Sequence, residues 1–186
     1  MDNRVVVAED EPITRMDICE MLTGAGYYVV GQAANGLEAV EVCRRLRPNL
    51  VLMDIKMPKL DGIEASQILV KENAADAIII LTAYSGREFI DKVKEIGAIG
   101  YIIKPIDEIR LIPQVEIAIA KGKEISSIKK NLNSIKITCA AKEILMERYR
   151  ITENEAYRKL RKMSMDKQLT ILDMSKNIID NIKSRD

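Results

Sequence analysis

The chain has 186 residues, 47% of them apolar and 31% charged, with no histidine, no tryptophan and a single phenylalanine. That length allows one medium domain and a second, smaller one. The missing histidine removes imidazole metal sites, imidazole general bases and phosphohistidine carriers, and the missing aromatics remove a stacking platform for single strands.

No run of about 18 apolar residues is present, so no membrane span is expected. No basic segment leads into an apolar one at the N-terminus, so no signal peptide is expected either. Cys19, Cys43 and Cys139 are odd in number and far apart, which fits a reducing, cytoplasmic setting better than a disulfide framework. The net charge of +1 hides an asymmetry. Residues 1–120 hold 13 Lys/Arg against 19 Asp/Glu, and residues 121–186 hold 16 against 9. A small basic segment behind an acidic domain suggests a polyanion as the partner of the second part.

Along the chain, apolar runs alternate with amphipathic stretches. Strands are expected at 4–10, 27–34, 49–54, 77–83 and 99–104. Helices are expected at 13–26, 36–48, 61–74 and 85–98, with another from near Leu111 that carries Pro113 in its first turn. Five such β-α repeats with near-continuous apolar strands predict a parallel sheet covered on both faces.

After residue 120 no strand signal remains. Ile125, Ile128, Leu132, Ile135 and Cys139 follow a 3-4 spacing, the seam of a coiled coil or of a helix packed on a partner. Gly122 is expected to kink that helix or to cap the one before it. Helices are then expected at 140–150, 151–164 and 165–183. The second opens on a capping box, Thr152 with Glu155. Its inner stripe is Ala156, Leu160 and Met163, and that of the third is Leu169, Leu172, Ile178 and Ile182. The expected domains are 1–121, a helical linker at 122–138, and an all-α three-helix bundle at 139–186.

In an open parallel sheet, function collects at the carboxyl ends of the strands. Glu9 and Asp10, Asp54, Thr82 and Lys104 all stand there. Asp10 or Asp54 taken singly is more often a cap or turn former. Together the three carboxylates repel one another and call for a hard cation such as Mg²⁺. A hydroxyl and an ammonium facing that cation suit a phosphoryl group, with Asp54 as nucleophile.

The segments VVVAEDEP, LVLMDIKMPKLDG, IIILTAY and GYIIKP, in this order, resemble the receiver domain of two-component response regulators over residues 2–121. The resemblance implies a flavodoxin-like α/β fold with strand order 2-1-3-4-5. It implies Asp54 as phosphoacceptor, with Mg²⁺ placed by Glu9, Asp10, Asp54 and the Lys56 carbonyl. It implies a switch pair, Thr82 and Tyr101, and a Lys104 aimed inward by a cis Pro105. A cognate sensor histidine kinase would be the phosphoryl source, and the domain would be a phosphoacceptor rather than an enzyme. Tyr84 is expected to shield Asp54 and slow autodephosphorylation.

Residues 139–183 resemble the ANTAR domain, an RNA-binding module of transcription antiterminators. Ala141, Lys142, Leu145 and Met146 carry the match, with Glu155-Ala156-Tyr157, Leu160 and Arg161. Glu143 stands where the family usually has glycine. Lys142, Arg148, Tyr157, Arg158, Arg161 and Lys162 are the expected contacts to RNA hairpins. Phosphorylation is expected to favour a homodimer through Ile125, Ile128, Leu132 and Ile135. The layout is similar to that of ethanolamine-utilisation regulators. The alternatives are a DNA-binding output, against which stands the lack of a glycine-containing turn between short helices, and a purely dimerising bundle.

Overall fold

A computed structural model describes residues 3–83, 91, 93 and 95–183, with side chains to Asn181. The chain divides into two compact units, Met1–Ser126 and Ser127–Asp186. In the first, five strands form one parallel sheet: β1 (Arg4–Ala8), β2 (Tyr28–Ala33), β3 (Leu50–Asp54), β4 (Ile78–Thr82) and β5 (Gly100–Ile103). Their order is β2-β1-β3-β4-β5, as the receiver resemblance implies.

The strands are apolar on both sides because the sheet is covered on both sides. Val6, Ala8, Val51, Met53, Ile78 and Ile80 face a core that includes residues of α2 (Gly36–Leu46) and α3 (Gly62–Lys71). Their neighbours Val5, Val7, Leu50, Leu52, Ile79 and Leu81 face the opposite core, which includes residues of α1 (Pro12–Gly24) and the start of α4 (Glu108–Tyr149). The period of two along each strand thus sorts one apolar run into two cores. The helix expected at 85–98 falls largely outside the described residues, although Val93 and Ile96 are buried and helical.

Helix α4 departs from the sequence reading twice. It begins at Glu108 rather than near Leu111, because the Asp107 carboxylate accepts the Arg110 N–H at 2.9 Å and caps it. Pro113 therefore lies beyond the first turn. The carbonyl its ring leaves unbonded belongs to Ile109, which is 87% exposed, so water can take that bond. Nor does Gly122 break the helix. A Cβ there would lie 2.9 Å from the Ala77 Cβ and 3.0 Å from the Asp76 carbonyl oxygen. This glycine lets the helix lie tightly against the entry to β4.

In the second unit the end of α4 packs with α5 (Glu153–Asp166) and α6 (Ile171–Lys183) around Ala141, Leu145, Ala156, Leu160, Met174 and Ile178. The Thr152–Glu155 capping box is present. The third helix starts at Ile171, not Met165. Gln168 turns left-handed at φ 54°, the Leu169 N–H returns to the Ser164 carbonyl, and Thr170 caps α6 by accepting the Asp173 N–H. That turn leaves Leu169 exposed and brings Met174 and Ser175 inward instead. Met163 is half-buried at the core's edge, and the Ile182 side chain lies outside those described. Arg150 ends α4 by the same device, with φ 52° and the Ile151 N–H on the Met146 carbonyl. Tight turns do separate these helices, built without glycine, so the missing glycine does not argue against a DNA-binding output.

Candidate functional site: an acidic pocket at the sheet edge

The pocket is assembled by strand ends. Asp54 is the last residue of β3, Thr82 the last of β4, and Glu9 and Lys104 follow β1 and β5 directly. The register pairs Asp54 with Leu81 and Thr82 with Ile103, and the Lys104 N–H donates to the Thr82 carbonyl at 2.8 Å. The Lys104–Pro105 peptide is cis. Parallel strands in this order therefore deliver these four side chains to one edge without any loop having to reach across.

The Lys104 ammonium sits between two carboxylates, 2.7 Å from Glu9 Oε2 and 2.9 Å from Asp54 Oδ1. Glu9 is 1% exposed and Asp54 is buried, whereas Asp10 faces solvent. Burial pushes the Glu9 carboxyl above its ordinary range; the Asp54 charge adds to this, and the Lys104 hydrogen bond opposes it. Burial works against the Lys104 charge, but its hydrogen bonds to the two acids outweigh that and raise its proton affinity. Carboxylate oxygens of Glu9, Asp10 and Asp54 all lie within 4.8 Å of one another. One ammonium among three acids leaves negative charge uncompensated, and an all-oxygen donor set suits a hard cation. The residues present therefore fit Mg²⁺.

The loop after Asp54 is held by backbone contacts. The Gly62 N–H donates to the Ile55 carbonyl at 2.8 Å, and the Gly36 N–H donates to that of Leu60 at 3.2 Å. Asp61 caps α3 by accepting the Glu64 N–H at 2.8 Å. Lys56 lies in this loop. Tyr101, on β5, is half-buried against the core that contains Ile80. Tyr84 lies outside the described residues. One contributor was not legible in the sequence: the Arg15 guanidinium of α1 donates to the Glu9 carbonyl. Only its spacing of six residues from Glu9, one turn into α1, could have flagged it.

The expected RNA residues do not all share one environment. Arg158, Arg161, Lys162 and Tyr157 are exposed on α5, and Arg148 is exposed near the end of α4. Lys142 is half-buried and ion-paired with Glu153, so its charge is already engaged. Glu143 points to solvent, where a side chain costs no close helix approach. The seam residues Ile125, Ile128, Leu132 and Ile135 are all exposed in the single chain. No helix among the described residues is long and apolar enough to cross a membrane.

Sheet order and pocket together define a response regulator, a phosphoacceptor rather than a turnover enzyme. The chain belongs to that family. Residues 5–116 match the response regulator receiver domain and residues 127–179 the ANTAR domain. It is 34% identical to the transcriptional regulatory protein PdtaR of Mycobacterium tuberculosis, over 96% of this chain and 90% of that protein. It is 36% identical to the chemotaxis protein CheY of Thermotoga maritima, over 60% of this chain and 93% of that one. The crystal structure of the response regulator domain of Thermotoga maritima CheB superposes with a TM-score of 0.60 at 30% identity, covering 64% of this chain and 98% of that one.

Proposed function

We propose that this chain is a phosphorylation-controlled, RNA-binding transcription antiterminator. The observation that carries the receiver half is the Lys104 ammonium bridging Glu9 and Asp54 at the carboxyl edge of the sheet. An Asp54 oxygen attacks the phosphorus of a kinase phosphohistidine. The P–N bond breaks, the imidazole leaves, and an aspartyl phosphate forms. Glu9, Asp10, Asp54 and the Lys56 carbonyl would hold Mg²⁺, which when bound neutralises charge on the transferring phosphoryl oxygens. Lys104 supplies further positive charge, and Thr82 donates its hydroxyl to the phosphoryl group with Tyr101 following as the switch partner.

Phosphorylation then favours a dimer through Ile125, Ile128, Leu132 and Ile135, an exposed apolar seam on α4 that a second copy would cover. The paired basic units engage RNA hairpins through Arg148, Tyr157, Arg158, Arg161 and Lys162. Lys142 joins only where RNA displaces Glu153. The ANTAR match and the exposure of these side chains support this half of the reading. The test is RNA pulldown with sequencing, and light scattering, with and without beryllofluoride. Equal mass and equal RNA recovery in both states would sink the proposed control.

A further inference from the structure

We propose that the junction between α4 and α5 carries a second RNA contact, in which Tyr149 holds the Lys159 ammonium in place to grip a loop phosphate. It rests on the RNA-binding reading above and adds a site that the exposed face of α5 does not contain. Lys159 Nζ lies 3.8 Å from the centroid of the Tyr149 ring, and the Arg148 guanidinium lies 6.0 Å from it. Both are within the range where a cation is attracted to the face of an aromatic ring. Arg150 follows at once, in the left-handed turn that ends the helix.

Two acids at this junction have other tasks. Glu153 pairs with Lys142. The Glu155 carboxylate accepts the Thr152 N–H and hydroxyl at 2.9 and 2.8 Å, and these bonds hold its carboxyl below the usual range. Among the described residues, no ion pair involves Arg148, Arg150 or Lys159. The Lys159 ammonium and the Arg148 guanidinium thus share Tyr149, a residue that is 45% exposed, and neither cation is drawn into an ion pair among the described residues.

A flexible lysine loses rotamer freedom when it binds a phosphate, and resting on a ring removes part of that cost in advance. Bases splayed from a hairpin loop also stack on tyrosine, and the exposed part of Tyr149 is available to one. Residues two apart on a helix do not face each other, so Lys159 and Tyr157 look to different sides of α5. The junction therefore contacts RNA at a point separate from Tyr157. The competing account is purely structural. Cations near the C-terminus of α4 complement its dipole, and the stack would only staple two helices.

The test uses the full-length chain activated with beryllofluoride and a fluorescein-labelled pool of RNA stem-loops with randomised loops, read by anisotropy across a salt series. Lys159→Gln and Tyr149→Leu should each weaken binding, and Lys159→Gln should make the salt dependence shallower by about 1 in log–log slope. Lys159→Arg and Tyr149→Phe, which keep charge and ring, should retain more of the binding than the Gln and Leu variants. A structural staple would lower the melting temperature and leave RNA affinity and salt slope unmoved. If Tyr149→Leu also melts early, Lys159→Gln, which leaves the ring in place, decides. Full binding by Lys159→Gln overturns this contact alone. Failure of the unchanged chain to bind any stem-loop overturns the RNA reading and this contact with it.

Discussion

Gly62 sits against the backbone of Asp54. A Cβ built at residue 62 would lie 1.9 Å from the Asp54 carbonyl oxygen and 3.0 Å from the Ile55 Cα. The start of α3 and the end of β3 can meet this closely only without a side chain. That contact closes the loop holding Lys56 and keeps Asp54 at the strand end. Gly62→Ala should therefore cost about 3 kcal/mol or more, because the obstructing atom is backbone and cannot swing away. Urea unfolding would measure it. Gly24→Ala, where nothing lies within 4 Å, is the control and should be near neutral.

Asp54→Asn keeps the shape of the side chain and removes its charge and nucleophilicity. The variant should fold and should show no phosphoprotein after incubation with acetyl phosphate, by phosphate-affinity gel. The unchanged chain should label, and chelation with EDTA should abolish that labelling, given the clustered carboxylates of Glu9, Asp10 and Asp54.

Ile128 and Leu132 are 59% and 52% exposed in the single chain. Replacing both with Asp should change monomer stability by no more than about 0.5 kcal/mol per site, since little apolar burial is lost. Dimer formed with beryllofluoride should disappear in light scattering. A dimer that persisted in this variant would move the interface elsewhere.

Cys43 is fully buried, and burial alone pushes its thiol up to about 12. The native state therefore holds this proton more tightly than the unfolded chain, whose thiol titrates near 8.5. Its contribution to stability is fully present below that value and is lost as pH rises from there towards 12. At pH 8 a disulfide reagent should reach Cys19 and Cys139, which are partly exposed, and should reach Cys43 only on unfolding. Immediate reaction of all three thiols in the native chain would contradict this.

The receiver half was legible because its signals are local. Apolar runs mark strands buried on both faces, and four of the five runs end in a side chain whose chemistry suits the carboxyl edge of the sheet. Asp54, Thr82 and Lys104 need no long loop to meet, so reading the strand ends was enough to place them together. The helical half was less legible because the C-terminal ends of its helices carry no sequence mark. Arg150 and Gln168 take left-handed conformations that usually advertise themselves through glycine. Without that mark the start of α6 was misplaced, and with it the inward role of Met174. Gly122 misled in the opposite sense, since a breaker residue there serves close approach to Ala77 inside an unbroken helix.

By itself, then, the sequence determined the sheet, the acidic pocket and the basic character of the second unit, because strand periodicity and net charge are properties of neighbouring residues. Only the tertiary structure decided which charges remain available. Lys142 is taken up by Glu153, Lys104 is shared between Glu9 and Asp54, and Lys159 rests on Tyr149. Pairing across elements depends on distances that no spacing along the chain encodes.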